Sequence, residues 1–144
     1  MSRYLLPVVD PAAMPGVALD VMNEVHKEEV VLINRLGELI VQGIEGAPDL
    51  DLIGRSVAGW VVHTRDHFEG ENSLMERYGF PPYPVHKEEH TQVLARLESI
   101  QAQWISEQSL EALADFIFHE WRAWFDQHVK SMDRATALFL RQVM

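Results

Sequence analysis

Four side chains of metal-binding type stand in two pairs within residues 67–90, on either side of a segment that cannot be helical. The pairs are His67 with Glu71 and His86 with His90. A spacing of four residues places both members of a pair on one face of an α-helix, one turn apart. Between the pairs lies YGFPPYP, whose three prolines and glycine interrupt a helix. The chain must turn back there, and two antiparallel helices are predicted to face each other with the ligand pairs inside.

Length and the absence of cysteine limit the kinds of fold and site that are open to this chain. With 144 residues, 47% of them hydrophobic, it has the size of one ordinary domain and can bury roughly 70% of the surface that its unfolded form exposes. The sequence has no cysteine, which excludes disulfides, zinc–thiolate sites, iron–sulfur clusters and c-type haem attachment. Any bound metal must therefore be held by nitrogen and oxygen atoms.

Charge and hydropathy argue against nucleic-acid and membrane partners. The net charge is −10, with only 12 lysines and arginines, whereas nucleic acids and anionic membranes attract basic patches. The apolar run at the start is broken by Pro7 and Asp10 and is too short for a secretory signal, and no later stretch reaches membrane-spanning length. These features predict a soluble, cytoplasmic protein with no nucleic-acid partner and no membrane insertion.

The two ends of the chain are predicted to differ from its middle. Residues 1–16 contain three prolines and a glycine, and they are predicted to form an extended N-terminal arm on the surface, outside the core. Residues 17–144 are predicted to form a single four-helix bundle domain. Within it, residues 135–143 are predicted to form a short C-terminal helix that packs Leu138 and Phe139.

Apolar residues recur at steps of three and four in four segments, the spacing of a buried helical face. The segments are predicted to start near residue 17, at Asp49 or Asp51, near Val85 and near Ser109, the last as an N-cap. The inward positions, polar ones included, are Leu19, Met22, His26, Val30, Ile33, Leu36 and Ile40; Ile53, Val57, Trp60, Thr64, His67, Glu71, Met75 and Tyr78; His86, His90, Val93, Leu97 and Ile100; and Leu110, Ala114, Ile117, Trp121, Trp124 and His128. Four amphipathic helices with short connections predict an all-α fold, an antiparallel up-down-up-down four-helix bundle.

Seven residues of metal-ligand type, too many for one ion, are associated with these helices. They are His26, His67, Glu71, His86, His90, His128 and Asp133. Two ions fit such a set, and imidazole with carboxylate suits iron, manganese or zinc. Neither His-Glu-x-x-His nor Glu-x-x-His occurs, which argues against a zincin protease and against a ferritin-like di-iron enzyme.

His26 and Glu71 can also be interpreted without reference to the other five residues. A lone histidine such as His26 on an apolar face is typical of a core histidine with one hydrogen bond. Glu71 differs, because a glutamate within an apolar stripe is costly unless it is paired or bound to a metal.

The arrangement of these residues resembles the hemerythrins, specifically the single-domain bacterial hemerythrins. The resembling pattern is His26, His67-x-x-x-Glu71, His86-x-x-x-His90 and His128-x-x-x-x-Asp133, and it extends over about residues 17–140. Phe68 within HFEGEN and Trp124, four residues before His128, also resemble the family. The resemblance implies reversible dioxygen binding at a non-haem di-iron centre.

Carried over to this chain, the resemblance implies a division of the ligands between two irons. His86, His90 and His128 hold one iron, His26 and His67 hold the other, and Glu71 and Asp133 bridge them together with a solvent-derived hydroxo or oxo group. The iron with two histidines lacks one ligand, and dioxygen binds there.

Apolar side chains around the predicted centre would exclude water from it, although each is equally typical of plain core filling. They are Trp60, Phe68, Met75, Trp121, Trp124 and Phe125. Phe125 departs from the resemblance, since similar bacterial hemerythrins commonly carry an aliphatic residue at the matching place. Its ring is predicted to narrow the space over the two-histidine iron.

Two further histidines and two glutamate-rich runs are predicted to lie outside the ligand set. His119 lies about 180° from His128 on its helix and is predicted to face solvent, whereas His63 is predicted at the edge of the core near the site. The glutamate-rich runs at 87–89 and 107–111 are predicted to form solvated outer faces.

His128 and Asp133 cannot both point inward from a regular α-helix. Five residues correspond to about 140° of rotation. The fourth helix is therefore predicted to end, tighten or bulge between Val129 and Met132.

The leading functional hypothesis is a non-enzymatic protein that stores, transports or delivers dioxygen. Its expected partners are dioxygen and an oxygen-consuming protein; the oligomeric state stays open, with a monomer favoured. One alternative is a sensor that reports oxygen or nitric oxide to a partner protein. Another is oxidase or peroxidase activity at the same di-iron pair, which the absence of an obvious proton donor in the predicted pocket disfavours.

Overall fold

The computed structural model describes residues 4–144, and in that range it consists of helices and connecting segments with no strand. The helices are α1 (Asp20–Glu45), α2 (Leu50–Arg77), α3 (Tyr83–Glu107), α4 (Leu110–Asp115), α5 (Arg122–His128) and α6 (Arg134–Val143). α1 packs against α2 and α4, and α3 packs against α2 and α4. The predicted all-α four-helix bundle is confirmed.

α4, α5 and α6 form one continuous fourth helix of the bundle. They are joined by two π-helical segments, Phe116–Trp121 and Val129–Asp133, in which the helix continues without a loop. The predicted short C-terminal helix is therefore the last part of this fourth helix. Its predicted packing is wrong in part: Leu138 is 48% exposed, whereas Phe139 contacts the ring of Phe80 with a centroid separation of 5.1 Å.

The helix ends follow from local chemistry. The side chain of Asp49 accepts a hydrogen bond from the Leu52 N–H (3.1 Å), and Ser109 does the same for the Ala112 N–H (3.2 Å). The N-cap at Ser109 was predicted, and of the two predicted starts of α2, Asp49 and Asp51, Asp49 is the N-cap. Such caps satisfy N–H groups that have no partner within the helix. After α2 the chain passes through Gly79 at φ 68°, a backbone conformation that glycine adopts without steric cost.

The predicted ligands occupy a polar layer between two apolar clusters. The larger cluster contains residues such as Ile33, Trp60, Leu97 and Ile117, and the smaller one is formed by Met22, Ala137 and Leu140. Most predicted inward positions are buried. The half-buried exceptions are Leu19, Tyr78, Val93, Leu110 and Trp124.

The N-terminal arm contributes to the core, contrary to the expectation that it lies outside it. Tyr4 and Val8 are buried, with exposed fractions of 4% and 1%. The Arg122 guanidinium donates hydrogen bonds to the carbonyls of Val8 (2.6 Å) and Leu5 (2.7 Å), and the Tyr4 hydroxyl donates to Asp115 (2.6 Å). Residues 1–3 of the predicted arm lie outside the described part of the chain, and the domain boundary after residue 16 stays a prediction.

No helix within residues 4–144 combines the length and the apolar character that crossing a membrane requires.

Candidate metal centre

All seven predicted ligands meet inside the bundle, and all are buried. Their ligand atoms form two overlapping groups, in each of which the atoms lie within 4.8 Å of one another. One group is Glu71, His86, His90, His128 and Asp133; the other is His26, His67, Glu71 and Asp133. Each group could hold a metal ion, and the two carboxylates are common to both.

Each shared carboxylate directs one oxygen toward each group. Glu71 Oε2 lies 2.8 Å from His67 Nε2, and its Oε1 lies 3.3 Å from His90 Nε2. Asp133 Oδ2 lies 3.0 Å from His26 Nε2, and its Oδ1 lies 3.1 Å from the Nε2 atoms of both His86 and His128. This is the arrangement that two bridging carboxylates require.

Asp133 reaches the interior because the helix changes its winding after His128. Val129–Asp133 is π-helical, and a π-turn accommodates one more residue than an α-turn. The extra residue rotates Asp133 back to the face that carries His128. The bulge predicted between Val129 and Met132 is confirmed.

Hydrogen bonds at the outer ring nitrogens orient four of the five histidines. Carboxylate and amide oxygens can only accept, so the Nδ1–H groups donate; Thr136 likewise accepts, because its hydroxyl donates to the Met75 sulfur. The pairs are His67 with Glu29 (3.3 Å), His86 with Thr136 (2.8 Å), His90 with Asn72 (2.8 Å) and His128 with Glu89 (2.7 Å). With the proton held at Nδ1, the Nε2 lone pair faces the centre, where a metal can use it.

Glu29 was missed by the sequence analysis and is a main structural support of the centre. It is 1% exposed. Its carboxylate accepts hydrogen bonds from Trp60 Nε1 (2.6 Å), Thr64 Oγ1 (2.9 Å) and His63 Nδ1 (2.9 Å) as well as from His67. The signal that could have found it is its position three residues after His26, on the same side of α1.

The prediction that the 87–89 run lies wholly in solvent is wrong at Glu89. This carboxylate accepts from His128 and from Trp124 Nε1 (2.8 Å), and its side chain is 30% exposed. His119 is exposed, as predicted. His63 lies at the edge of the core beside the site, also as predicted, with its side chain 20% exposed.

Protonation of the metal-free centre reflects these contacts. Burial lowers the pKa of His26, but the nearby carboxylates of Asp133 and Glu71 outweigh burial and raise it to about 9. Burial raises the pKa of Glu29, and the hydrogen bonds from His63 and His67 outweigh it and lower the value to about 2. His26 is thus held as a cation beside the Asp133 and Glu71 carboxylates, and Glu29 as an anion beside the imidazole rings of His63 and His67.

The residues present fit bound metal ions. His26 Nε2, Glu71 Oε1 and both carboxylate oxygens of Asp133 are buried without a hydrogen-bond partner among the described residues. Buried polar atoms are nearly always satisfied, and these four point into the two groups described above. Nitrogen and oxygen donors of this kind suit iron, manganese or zinc.

Comparison with known proteins agrees with this site. A family model described as the hemerythrin HHE cation binding domain matches residues 17–137. The chain belongs to the hemerythrin family. The resemblance inferred from the ligand pattern is confirmed, and family membership together with the buried cluster points to a di-iron protein.

Curated hemerythrin relatives match over most of their own length. A bacteriohemerythrin of Aquifex aeolicus (strain VF5) is 30% identical over 116 residues, covering 81% of this chain and 85% of that protein. One of Ralstonia nicotianae (strain ATCC BAA-1114 / GMI1000) is 31% identical over 103 residues, covering 72% and 73%. One of Stenotrophomonas maltophilia (strain R551-3) is 24% identical over 122 residues, covering 85% and 74%.

Aromatic rings pack directly on the histidines of this hemerythrin-family centre. Phe68 stacks on His90, with ring centroids 4.1 Å apart and planes 4° from parallel. Trp124 stacks on His128 at 4.6 Å. Phe125 meets the His26 ring edge to face at 6.0 Å, which places it beside the two-histidine group. The apolar lining therefore covers both groups.

Proposed function

We propose that this protein binds dioxygen reversibly at a di-iron centre. The proposed ligands are His26, His67, Glu71, His86, His90, His128 and Asp133. His86, His90 and His128 would hold one iron, His26 and His67 would hold the other, and the two carboxylates would bridge them. When bound, the iron pair would supply two redox-active ions at which dioxygen can bind and be released.

One observation carries the proposal: two buried carboxylates with unsatisfied oxygens are shared between groups of three and two histidines. Shared carboxylates favour two ions over one. They also offset part of the positive charge that two divalent cations bring into a buried site. The unequal number of histidines leaves an ion in the smaller group with one protein ligand fewer, where an external ligand can bind.

The surroundings support a carrier more than an open catalyst. Phe68, Trp124 and Phe125 cover His90, His128 and His26, and an apolar covering excludes water from these sides of the centre. The outer hydrogen bonds hold the imidazoles in one orientation. The relatives carry the name bacteriohemerythrin, which agrees with a role in oxygen binding.

One contact favours redox chemistry as a second candidate function. From the sequence, an oxidase or peroxidase is disfavoured because the predicted pocket contains no obvious proton donor. His63, partly exposed and hydrogen-bonded to Glu29 next to His67, is a group that can carry protons near the centre. Consumption of hydrogen peroxide by the iron-loaded protein, compared with a His63→Gln variant, distinguishes this activity from simple binding.

The decisive experiment is anaerobic iron loading followed by metal analysis and absorption spectroscopy. Two irons per chain are expected, with a new absorption spectrum under air that disappears when oxygen is removed and returns on re-exposure. His90→Ala should lose iron, whereas His119→Ala, which removes an exposed histidine, should not. One ion per chain, zinc after growth in iron-replete medium, or a spectrum that never reverses would overturn the proposal. The monomeric state and the oxygen-consuming protein partner stay predictions.

A further inference from the structure

A cleft of about 350 Å³ opens between α1 and α2 and reaches the two-histidine group. Its floor includes His67 and Glu71, which are otherwise buried, with exposed fractions of 7% and 5%. Its lining also includes the polar side chains Glu28, His63 and Asp66, together with the apolar side chains Val21, Met22, Val25 and Leu74. The cleft therefore joins solvent to the part of the centre that holds two of the proposed ligands.

The rim of this cleft carries the same chemistry as its floor. The Glu28 side chain is 67% exposed and lies 3.2 Å from His63 Nε2, and Asp66 is exposed. At the floor, Glu71 Oε2 lies 2.8 Å from His67 Nε2, and Glu71 Oε1 is buried without a hydrogen-bond partner among residues 4–144. A divalent cation would thus meet carboxylate and imidazole donors at the entrance and again at the end of the path.

A second opening to the centre has a different character. A cleft of about 280 Å³ reaches His86, but its lining is dominated by apolar groups such as Phe80, Val85 and Met132. No carboxylate is among the described residues that line this cleft, so an ion would lose its hydration there without an anionic ligand, which is costly. The acidic cleft is the better path for a cation, particularly in a chain with a net charge of −10, because clefts of one sign concentrate counter-ions.

We propose that the cleft between α1 and α2 is the entry route for divalent metal ions into the folded, metal-free protein. Glu28, His63 and Asp66 form the capture site at its rim, and the ion then passes to His67 and Glu71. This inference rests on the proposed metal centre. It adds an initial binding step at the rim, and it implies that ions reach the two-histidine group before they reach the three-histidine group.

Gly70 allows the route to be closed without touching a ligand. It lines the cleft, and a Cβ atom placed there would have no atom of the surrounding described residues within 4 Å. Gly70→Leu is therefore expected to be accommodated and to place an apolar side chain in the path. Gly59 is the matched control, since it lies on the same helix, its Cβ would also meet nothing within 4 Å, and it does not line the cleft. Both substitutions bring the same gain in helix propensity.

The experiment measures cobalt(II) uptake by the metal-free protein in a stopped-flow instrument, from cobalt absorption and tryptophan fluorescence. Gly70→Leu should load at least ten-fold more slowly than the wild type and Gly59→Leu at the wild-type rate, with the same metal content at the end. Equal rates in Gly70→Leu and wild type, or equal slowing in both variants, would overturn the route.

Removal of the rim charges tests the route independently, even if Gly70→Leu does not fold. Glu28→Gln with Asp66→Asn should slow uptake on the order of ten-fold at low salt, an effect that fades as salt is added. Glu45→Gln with Asp51→Asn removes the same amount of charge from the ends of α1 and α2 that lie away from the cleft. This double variant should take up metal at the wild-type rate. Equal rates in the two double variants contradict the capture site, whereas a wild-type endpoint below two ions per chain contradicts the metal centre itself.

Discussion

Glu29 and Glu89 each orient a proposed ligand histidine by a hydrogen bond, one in each of the two ligand groups. Each accepts hydrogen bonds from the Nδ1–H of a proposed ligand histidine and from a tryptophan indole N–H: His67 and Trp60 for Glu29, His128 and Trp124 for Glu89. The two differ in burial, since Glu29 is 1% exposed and the Glu89 side chain is 30% exposed. Loss of Glu29 should therefore have the larger effect.

Glu29→Gln is expected to lower both stability and metal affinity. A glutamine at this position turns an amide N–H₂ toward donors and loses charge-assisted hydrogen bonds, at a cost of about 2–4 kcal/mol in the free energy of unfolding. Metal affinity should fall on the order of 10–100-fold. Urea denaturation and competition with a chelator measure the two quantities. Glu38, an exposed glutamate on the same helix, provides the control, as Glu38→Gln should change stability by less than about 0.5 kcal/mol; equal effects of the two variants would contradict the supporting role of Glu29.

Phe125→Ala is expected to shorten the lifetime of the oxygenated spectrum. The ring is 4% exposed and lies against His26, so its removal opens a cavity that admits water, at a stability cost of roughly 3–5 kcal/mol. The decay rate of the spectrum in identical buffer is the measurement. Phe116→Ala is a control of similar burial that lies against Trp60 instead. If both variants decay at the wild-type rate, Phe125 acts in packing alone.

At the scale of secondary-structure elements, the π-helical segment Val129–Asp133 allows the fourth helix to direct both His128 and Asp133 into the bundle. α5 carries His128, α6 carries Thr136, and Val129–Asp133 adjusts the winding between them. A π-bulge behaves as one extra residue within an α-helix. Removal of that residue should restore α-helical winding and leave the later inward positions on their original face.

Deletion of the exposed Lys130 should therefore be tolerated. Asp133 would then follow His128 by four residues, which keeps both on one face of an α-helix, so helical content and bound metal should be largely retained. Deletion of Glu69 from the regular α2 is the contrasting variant, because it rotates Glu71 and all later residues by about 100° and should abolish metal binding. Metal analysis of the two proteins decides the matter, and loss of metal in both would contradict the bulge interpretation.

At the scale of the whole molecule, metal binding and folding are coupled through protons. The pKa of His26 is raised to about 9 in the metal-free protein, and those of His67 and His128 are raised too. In each case burial lowers the pKa and contacts with carboxylates outweigh it. Since an unfolded histidine titrates near 6.5, the folded protein holds protons that the unfolded chain would release.

The metal-free protein should accordingly lose stability as the pH rises from 6.5 to about 9. The contribution of these protons is complete below pH 6.5, the unfolded pKa, and disappears as the pH passes the raised pKa values of the folded protein. The pKa of His90 is lowered by burial, so this residue affects the free energy of unfolding only below about pH 6.5. Urea denaturation at several pH values measures the effect, and His26→Gln should flatten it. A free energy of unfolding that does not change between pH 6.5 and 9 would contradict the raised pKa values.

Local sequence patterns were enough to predict four helices, the turn after Tyr78 and the N-cap at Ser109. Once Asp133 was taken as a ligand, its spacing from His128 also predicted that the helix ends, tightens or bulges between them. Each of these depends on residues a few positions apart, whose relation is set by the local geometry of the backbone. Six of the seven proposed ligands could be selected in the same way, because they lie on faces that are otherwise apolar, whereas the bridging role of Asp133 was implied by the resemblance to the hemerythrins.

Packing between helices settled features that periodicity does not encode. Glu29 and Glu89 bond to histidines 38 and 39 residues away, so their inward orientation depends on how each helix is rotated against its neighbour. The burial of Tyr4 depends on the fit of the arm against α4, and the acidic cleft depends on the separation of α1 and α2 beside Gly70. Such contacts join residues that are distant in the chain, and their geometry exists only once the helices have packed.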